Sequence, residues 1–240
     1  MTTAPVVVLA GGLGTRLREV TGELLPKVLV PVGGRPFIDY KLHGLAHLGA
    51  REVLLLTGHQ ADQVHGHVGS GERYGLQVRC VADGPEPLGT AGSVARVLEH
   101  LPETFWLTYG DTFVEAPLAE VEASLDASTD GAMTVLENHD RWEPSNVTVE
   151  DGRIVCYGKG DPPGTHRWID YGLLLFRHSA FDTVSTTRPS DLGDVVSALV
   201  DRRRLGAWSV AERFWDVGTS EALRATEAHF AAAHVWERIT

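Results

Sequence analysis

The sequence predicts an α/β fold in which helices cover both faces of a mainly parallel sheet, and two observations carry that expectation. Val6 to Ala10 is a continuous, β-branched apolar run, the pattern of a strand buried on both faces, and a glycine loop follows it directly. Strand-like and helix-like segments then alternate, as in a chain built from βα units.

Each element can be justified in turn. Pro36 to Leu48 spaces Phe37, Tyr40, Lys41, Gly44, Leu45 and Leu48 at helical intervals, with Pro36 suited to the first turn and Gly49 to the stop. A strand at Glu52 to Thr57, a helix near Ala61 to Val68, a strand at Leu76 to Ala82 and a helix from Thr90 to Leu101 repeat the alternation. Thr104 to Tyr109 is another buried strand, ending in Gly110, Asp111 and Thr112. Asn146 to Val149 and Arg153 to Tyr157 flank Glu150-Asp151-Gly152, which signals a hairpin. Ile169 to Phe176 predicts a further strand and Asp191 to Val200 a helix; Trp208 to Val210 is short and apolar, and Ser220 to Phe230 makes a terminal helix.

Composition bounds the function. The chain has 240 residues, 43% of them apolar and 22% charged, enough for a sizeable core in one domain. Neither a signal peptide nor a membrane span is legible at the start, so a soluble, cytoplasmic protein without a membrane partner is expected. A net charge of -11 argues against nucleic acid, whose phosphates are met by a face rich in Lys and Arg. The only lysines are Lys27, Lys41 and Lys159, and Arg202-Arg203-Arg204 suits a solvated helix end. Cys80 and Cys156 are too few for a disulfide framework and lack a C-x-x-C spacing, so buried free thiols are expected.

The densest signal is Leu9-Ala10-Gly11-Gly12-Leu13-Gly14-Thr15-Arg16, at the end of the first strand. Glycines there let backbone N-H groups approach a phosphate without a Cβ in the way, although a tight surface turn would use them too. No Gly-Lys-Ser/Thr closes the loop as in a P-loop, and Leu17 stands where a dinucleotide fingerprint needs its third glycine.

Arg16 closes the loop, and Pro26-Lys27-Val28-Leu29-Val30-Pro31-Val32-Gly33-Gly34-Arg35-Pro36 follows about ten residues later. Gly-Gly-x-Gly-Thr-Arg-Leu followed by Pro-Lys-x-Leu-x-Pro-Val-x-Gly-Arg-Pro resembles the sugar-1-phosphate nucleotidyltransferases. The resemblance implies a Rossmann-like sheet of the nucleotide-diphospho-sugar transferase fold. It also implies phosphate-contacting, catalytic roles for Arg16 and Lys27, and nucleotide contacts from Leu9, Ala10, Gly11, Gly12, Gly14 and Thr15. Residues 1–112 would form the nucleotide-binding half and 113–240 the sugar-binding half, with no β-helix domain. Such a transfer leaves little covalent work to the protein, so alignment and charge stabilisation dominate. An Arg fork and a Lys point charge suit that work.

A nucleoside triphosphate is handled with Mg2+, which takes one or two carboxylates. Asp111, at a strand end, and Asp216, in Asp-Val-Gly-Thr, resemble the family's two metal-binding aspartates. Asp111 could instead turn the chain with Thr112, and Asp216 could cap the last helix, though Thr219 or Ser220 suits that better. The nucleophile, a phosphate monoester, is already largely anionic at neutral pH, so no general base is needed. None of the histidines shows H-E-x-x-H, and His43 with His47 suits a helix-surface pair.

Glu86-Pro87-Leu88-Gly89-Thr90 resembles the base-binding segment of the guanylyltransferase branch for mannose and heptose 1-phosphates. The carboxylate of Glu86 could accept both N-H donors of guanine, with Gly89 and Thr90 beside it. The expected triphosphate is therefore GTP, with UTP, dTTP, CTP and ATP as alternatives; the plain alternative is that Thr90 caps the helix. Gly110, Lys159, Asp170, Tyr171 and Gly172 are assigned to the sugar. Tyr157-Gly158-Lys159-Gly160 stands where the family has Glu-Lys-Pro, and Asp170-Tyr171-Gly172 replaces Asn-x-Gly, so heptose, mannose or an unusual sugar all fit. The rival readings are a non-catalytic nucleotide-sugar-binding subunit, disfavoured by Arg16, Lys27, Asp111 and Asp216 together, and a metal-dependent glycosyltransferase, disfavoured by Thr112-Phe113 after Asp111. A homodimer is the family's expectation.

Overall fold

In the computed structural model, which describes residues 4–12, 14, 17, 22, 25–84, 87–158 and 160–240, the first β-branched run forms strand β1 (Val6–Ala10). Val6, Val7 and Val8 are fully buried. A short antiparallel ribbon follows, β2 (Pro31–Val32) with β3 (Arg35–Pro36), turned by Gly33 at φ 55° and Gly34 at φ 79°. Helix α1 (Phe37–His47) begins one residue after the expected position, with Pro36 as its N-cap. Then come β4 (Glu52–Thr57), α2 (Ala61–Val68), β5 (Gln77–Ala82) and α3 (Gly89–Val97), which tightens into a 3-10 turn at Leu98–His100.

Strand β6 (Thr104–Tyr109) has the expected bounds and is followed by β7 (Thr112–Phe113). Helix α4 (Leu118–Ser124) and strand β8 (Gly131–Glu137) occupy a stretch without a predicted element. All but the last residue of β8 is buried, so it lacks the alternation that marks a half-exposed strand. The hairpin forms as β9 (Val147–Glu150) and β10 (Arg153–Tyr157), with Asp151 at φ 47° and Gly152 at φ 73° in the turn. Strand β11 (Trp168–Arg177) and β12 (Leu205–Val210) both run longer than predicted. Between them, α5 (Leu192–Asp201) starts after Asp191, whose carboxylate accepts from Gly193 N at 2.7 Å. The chain closes with β13 (Trp215–Asp216), α6 (Ser220–Ala232) and α7 (Val235–Ile239). Thr219, not Asp216, caps α6, its hydroxyl accepting from Ala222 N at 3.1 Å.

The chain divides into two compact units. The first gathers Met1–Pro87, Thr108–Leu118 and Phe214–Thr240. Its strands run in the order β5-β4-β1, all parallel, with Val6 opposite Val53 and Ala10 opposite Thr57. Beside them β7 and β13 pair antiparallel, and Phe37, Tyr40, Phe113, Val217 and Phe230 share one apolar core.

The second unit comprises Leu88–Leu107 and Ala119–Arg213. Here β8 pairs antiparallel with β11 and parallel with β12, and β10 pairs antiparallel with β9 and β12. The fold is thus α/β with a mixed sheet, whose β8-β11, β9-β10 and β10-β12 pairs are antiparallel. Among the described residues, no helix is long and apolar enough to cross a membrane.

The thiols depart from expectation. Cys80, on the outer strand β5, is half-buried, and Cys156 on β10 is exposed. Arg204 also leaves the solvated run after α5, forking onto Asp130 with Nε to Oδ2 at 2.5 Å and a terminal nitrogen to Oδ1 at 2.7 Å.

Candidate active site

Three expected side chains meet in the first unit. The carboxyl ends of β1 and β6 lie together, because Gly110 N donates to Leu9 O at 2.8 Å. Gly110 fits tightly there: a Cβ would lie 3.0 Å from Leu9 O and from Val28 Cγ1, so a larger residue would press its neighbours apart. Asp111 follows at once. Asp216 reaches it across the β7-β13 ribbon, where Asp216 pairs with Thr112 and Val217 N donates to Asp111 O at 3.0 Å. Lys27 opens a 3-10 turn after Pro26, and its ammonium group makes an ion pair with Asp111 Oδ2. Gly218 N donates to Asp216 Oδ1 at 2.7 Å, and a Cβ on Gly218 would lie 2.8 Å from that oxygen and 3.6 Å from Lys27 Nζ. One cation and two carboxylates are therefore gathered at the strand ends, where open α/β sheets bind ligands.

The glycine loop borders this cluster. Gly11 is half-buried, and a Cβ on it would come within 2.8 Å of Asp83 Oδ2 and 3.3 Å of Gly58 N. Gly12 is exposed, with open space where a Cβ would be. Gly14 adopts φ 59°, and a Cβ there would press on Lys27 Cβ at 3.2 Å. Leu9 is half-buried and Ala10 is buried. Thr15, Arg16, Glu86 and Lys159 lie outside the described residues.

Lys41 is a member of the site that sequence reasoning left on a helix stripe. Its side chain is completely buried, and Nζ donates to Thr108 Oγ1 at 2.8 Å and to Thr112 O at 2.6 Å. Burial pushes its pKa down to about 7, against the charge of Asp111, which favours the ammonium form. The signal was in the sequence: a lysine at an otherwise apolar helical position is either strained or bonded.

The remaining assignments fall in the second unit. Thr90 does not cap α3, whose N-cap is Leu88; its hydroxyl instead accepts from Leu192 N at 2.7 Å, tying α3 to the start of α5. Gly89 takes φ 71°, and a Cβ there would sit 2.5 Å from Ser190 O. The register of β11 against β8 shifts between Asp170 and Leu174, and Gly172, at φ 80°, lies within that bulge. Gly172 N donates to Asp170 Oδ1 and Asp170 N to Asn146 Oδ1, both at 2.9 Å. Tyr171 is fully buried, so its ring belongs to the core. Asp170 accepts from the Tyr157 phenol, and that phenol's pKa is raised, first by burial and then by the charges of Asp170 and Asp191. Asn146 and Tyr157 thus join the polar group around Asp170; beyond ending its strand, Tyr157 stands out in the sequence only as part of a departure from the family's Glu-Lys-Pro, and Asn146 only as the start of its strand.

The paired-histidine expectation fails at His43. That ring lies with its edge to Tyr74 and to Trp236, each at 5.0 Å between centroids, while His47 is exposed.

Comparison with known proteins adds three relationships. Over 222 residues the chain is 30% identical to "Glucose-1-phosphate thymidylyltransferase" of Streptomyces griseus, covering 87% of this chain and 61% of that protein. It is 26% identical to "D-glycero-alpha-D-manno-heptose 1-phosphate guanylyltransferase" of Campylobacter jejuni, covering 90% of this chain and 95% of that one. The crystal structure of HddC from Yersinia pseudotuberculosis superposes with a TM-score of 0.80 at 24% identity, over 95% of this chain and 100% of that one, which shows a shared fold. Several relatives, that Streptomyces protein among them, are longer, and the chain spans only 58% to 62% of three of them. The family model described as nucleotidyl transferase matches residues 5–232. The gathering of Lys27, Asp111 and Asp216 behind a glycine loop is thus set in a matching frame, and the chain belongs to the nucleotidyl transferase family.

Proposed function

We propose that the protein is a Mg2+-dependent sugar-1-phosphate nucleotidyltransferase that forms a nucleotide sugar and pyrophosphate from GTP and a sugar 1-phosphate. The observation that carries this reading is the convergence of Lys27 and Asp111 with Asp216 across the β7-β13 ribbon. A phosphate oxygen of the sugar 1-phosphate attacks the α-phosphorus of the triphosphate, a new P-O bond forms, and the bond to pyrophosphate breaks. The nucleophile arrives as an anion, so the protein's work is to align the phosphates and to stabilise their charge.

The donor set suits magnesium. Asp111 and Asp216 offer hard carboxylate oxygens, and Thr112 Oγ1, 3.1 Å from Asp111 Oδ1, orients one of them. Bound there, Mg2+ supplies charge neutralisation at the phosphates. Lys27, now paired with Asp111, turns to a phosphate oxygen once substrate is in place. Gly11 and Gly14 keep the loop slim enough for backbone to lie against the triphosphate, and Arg16 grips it as a fork.

Guanine is favoured by the Glu86 segment and by the heptose guanylyltransferase relative, and the Streptomyces relative keeps dTTP as the alternative. On the sugar side, Asp170, held by Asn146 and Tyr157, accepts from sugar hydroxyls, and Lys159 meets the sugar phosphate. The test is pyrophosphate release with each of the five triphosphates against mannose, heptose and glucose 1-phosphates. Preference for GTP with mannose or heptose supports the reading, and preference for dTTP or UTP removes the guanine assignment.

A further inference from the structure

At the end of β10 and in the loop before β11 the chain gathers three side chains with no part in the proposed transfer. Cys156 lies exposed one residue before the end of β10, and His166 lies buried just before β11. Asp161 stands between them, half-exposed, with its Oδ2 2.8 Å from His166 Nε2. Among the described residues, this is the group of His, Cys, Asp or Glu whose ligand atoms all lie within 4.8 Å of one another.

The loop is built to hold them face to face. Pro162 O accepts from Thr165 N at 3.2 Å and from Thr165 Oγ1 at 2.7 Å, closing a tight turn between Asp161 and His166. Gly164 N donates to Asp140 Oδ2 at 2.7 Å, tying that turn to a neighbouring loop. Gly158 leaves the room the carboxylate needs: a Cβ there would meet Asp161 Oδ2 at 1.9 Å and His166 Nε2 at 3.1 Å.

The second ring nitrogen decides what the first can do. His166 Nδ1 lies 2.9 Å from Thr148 Oγ1. With Nδ1-H donating to that hydroxyl, the Nε2 lone pair faces the Asp161 carboxylate oxygen, and a cation placed beside them takes both as ligands. A hydrogen-bond acceptor on the other ring nitrogen is the arrangement metal-bound histidines use to fix tautomer and orientation.

We propose that Cys156, Asp161 and His166 form a zinc site that clamps the loop leading into β11 against β10, with water as the fourth ligand. Sulfur, imidazole nitrogen and a single carboxylate oxygen are the donors of a borderline-soft ion, and a set poor in oxygen does not suit magnesium. Ordinary zinc bond lengths in a tetrahedral centre place ligand atoms about 3.4–3.6 Å apart, which these side chains reach by small rotations. Binding breaks the Cys156 S-H bond, whose proton leaves to solvent, and uses the Nε2 lone pair of a neutral His166 that keeps its hydrogen on Nδ1.

The test is a titration of the full chain with Co2+ and then Zn2+, followed by absorption. The expected result is a thiolate-to-cobalt charge-transfer band that saturates at one Co2+ per chain, is bleached by Zn2+ and is untouched by excess Mg2+. Cys156→Ser changes an exposed side chain, so the fold survives, and the band should vanish. Thr148→Val should keep the band and weaken binding by about 10–100-fold, the usual effect of removing an outer partner. Zinc should also raise the melting temperature of the unmodified chain and leave that of Cys156→Ser unchanged. Absence of the band, or its survival in Cys156→Ser, would overturn the site, and cobalt held at Asp111 and Asp216 would give no such band.

Discussion

Lys41 Nζ donates to the main-chain oxygen of Thr112 at 2.6 Å, fixing from inside the fold the residue that directly follows Asp111. A buried ammonium group on α1 therefore braces the turn that presents the proposed metal ligand. Two opposing effects meet in it: burial favours the neutral amine, while the oxygens of Thr108 and Thr112 hold it in place.

That bracing has a pH signature. The pKa of Lys41 falls from 10.5 in the unfolded chain to about 7 in the fold, so between those values the unfolded chain binds more protons. Stability should gain from this group as pH rises from about 7 towards 10.5, and Lys41→Met should lack that gain. Denaturant melts of both proteins at about pH 7 and pH 9 check it. Equal pH slopes in the two would contradict the buried, downshifted lysine.

Gly218 stands against both Asp216 and Lys27, so Gly218→Ala should displace the site without unfolding the chain. Its Cβ would need the Asp216 carboxylate to retreat from 2.8 Å. The expected result is a fall in kcat/KM of about 10–100-fold, the order that small misplacements of catalytic groups cost. Melting temperature should hardly move. A variant with full activity would show that Asp216 keeps its position by other means.

Asp130 and Arg204 predict the acid limit of stability in the second unit. The Arg204 guanidinium, helped by the Ser179 hydroxyl, holds the Asp130 carboxyl below its ordinary range against the opposing push of burial. A depressed carboxyl stabilises the fold above the unfolded value and loses that contribution as pH falls through the folded one. Asp130→Asn should therefore lower the melting temperature by a few degrees at neutral pH and flatten the acid arm of the stability profile. Coincident acid arms would rule out a stabilising pair.

Tyr157 donates to Asp170, and loss of that bond should read out on one substrate only. Tyr157→Phe is expected to raise KM for the sugar 1-phosphate by about 10-fold, the order of one hydrogen bond to a charged group, with KM for the triphosphate unchanged. Equal shifts in both constants would place the pair outside sugar recognition.

Much of this was legible in the sequence, and what escaped has physical causes. The run from Val6 to Ala10 and the helix after Pro36 announced themselves by burial pattern and period. Strand β8 did not, because six of its seven residues are buried and leave no alternation to read. Lys27, Asp111 and Asp216 were readable from local motif, but the ribbon joining Asp216 to Thr112 is only two residues long on each side. Lys41 and the Cys156, Asp161 and His166 group depend on what lies opposite in space. Thr148 reaches His166 across 18 residues, and Thr108 reaches Lys41 across 67.

The most direct test of the central claim is a magnesium titration of pyrophosphate release in the unmodified chain, Asp111→Asn and Asp216→Asn. If both carboxylates hold the ion, each variant should lose about 10²–10³-fold in kcat, and the Mg2+ concentration for half-maximal rate should rise. Wild-type rates and an unshifted Mg2+ dependence in both variants would contradict it.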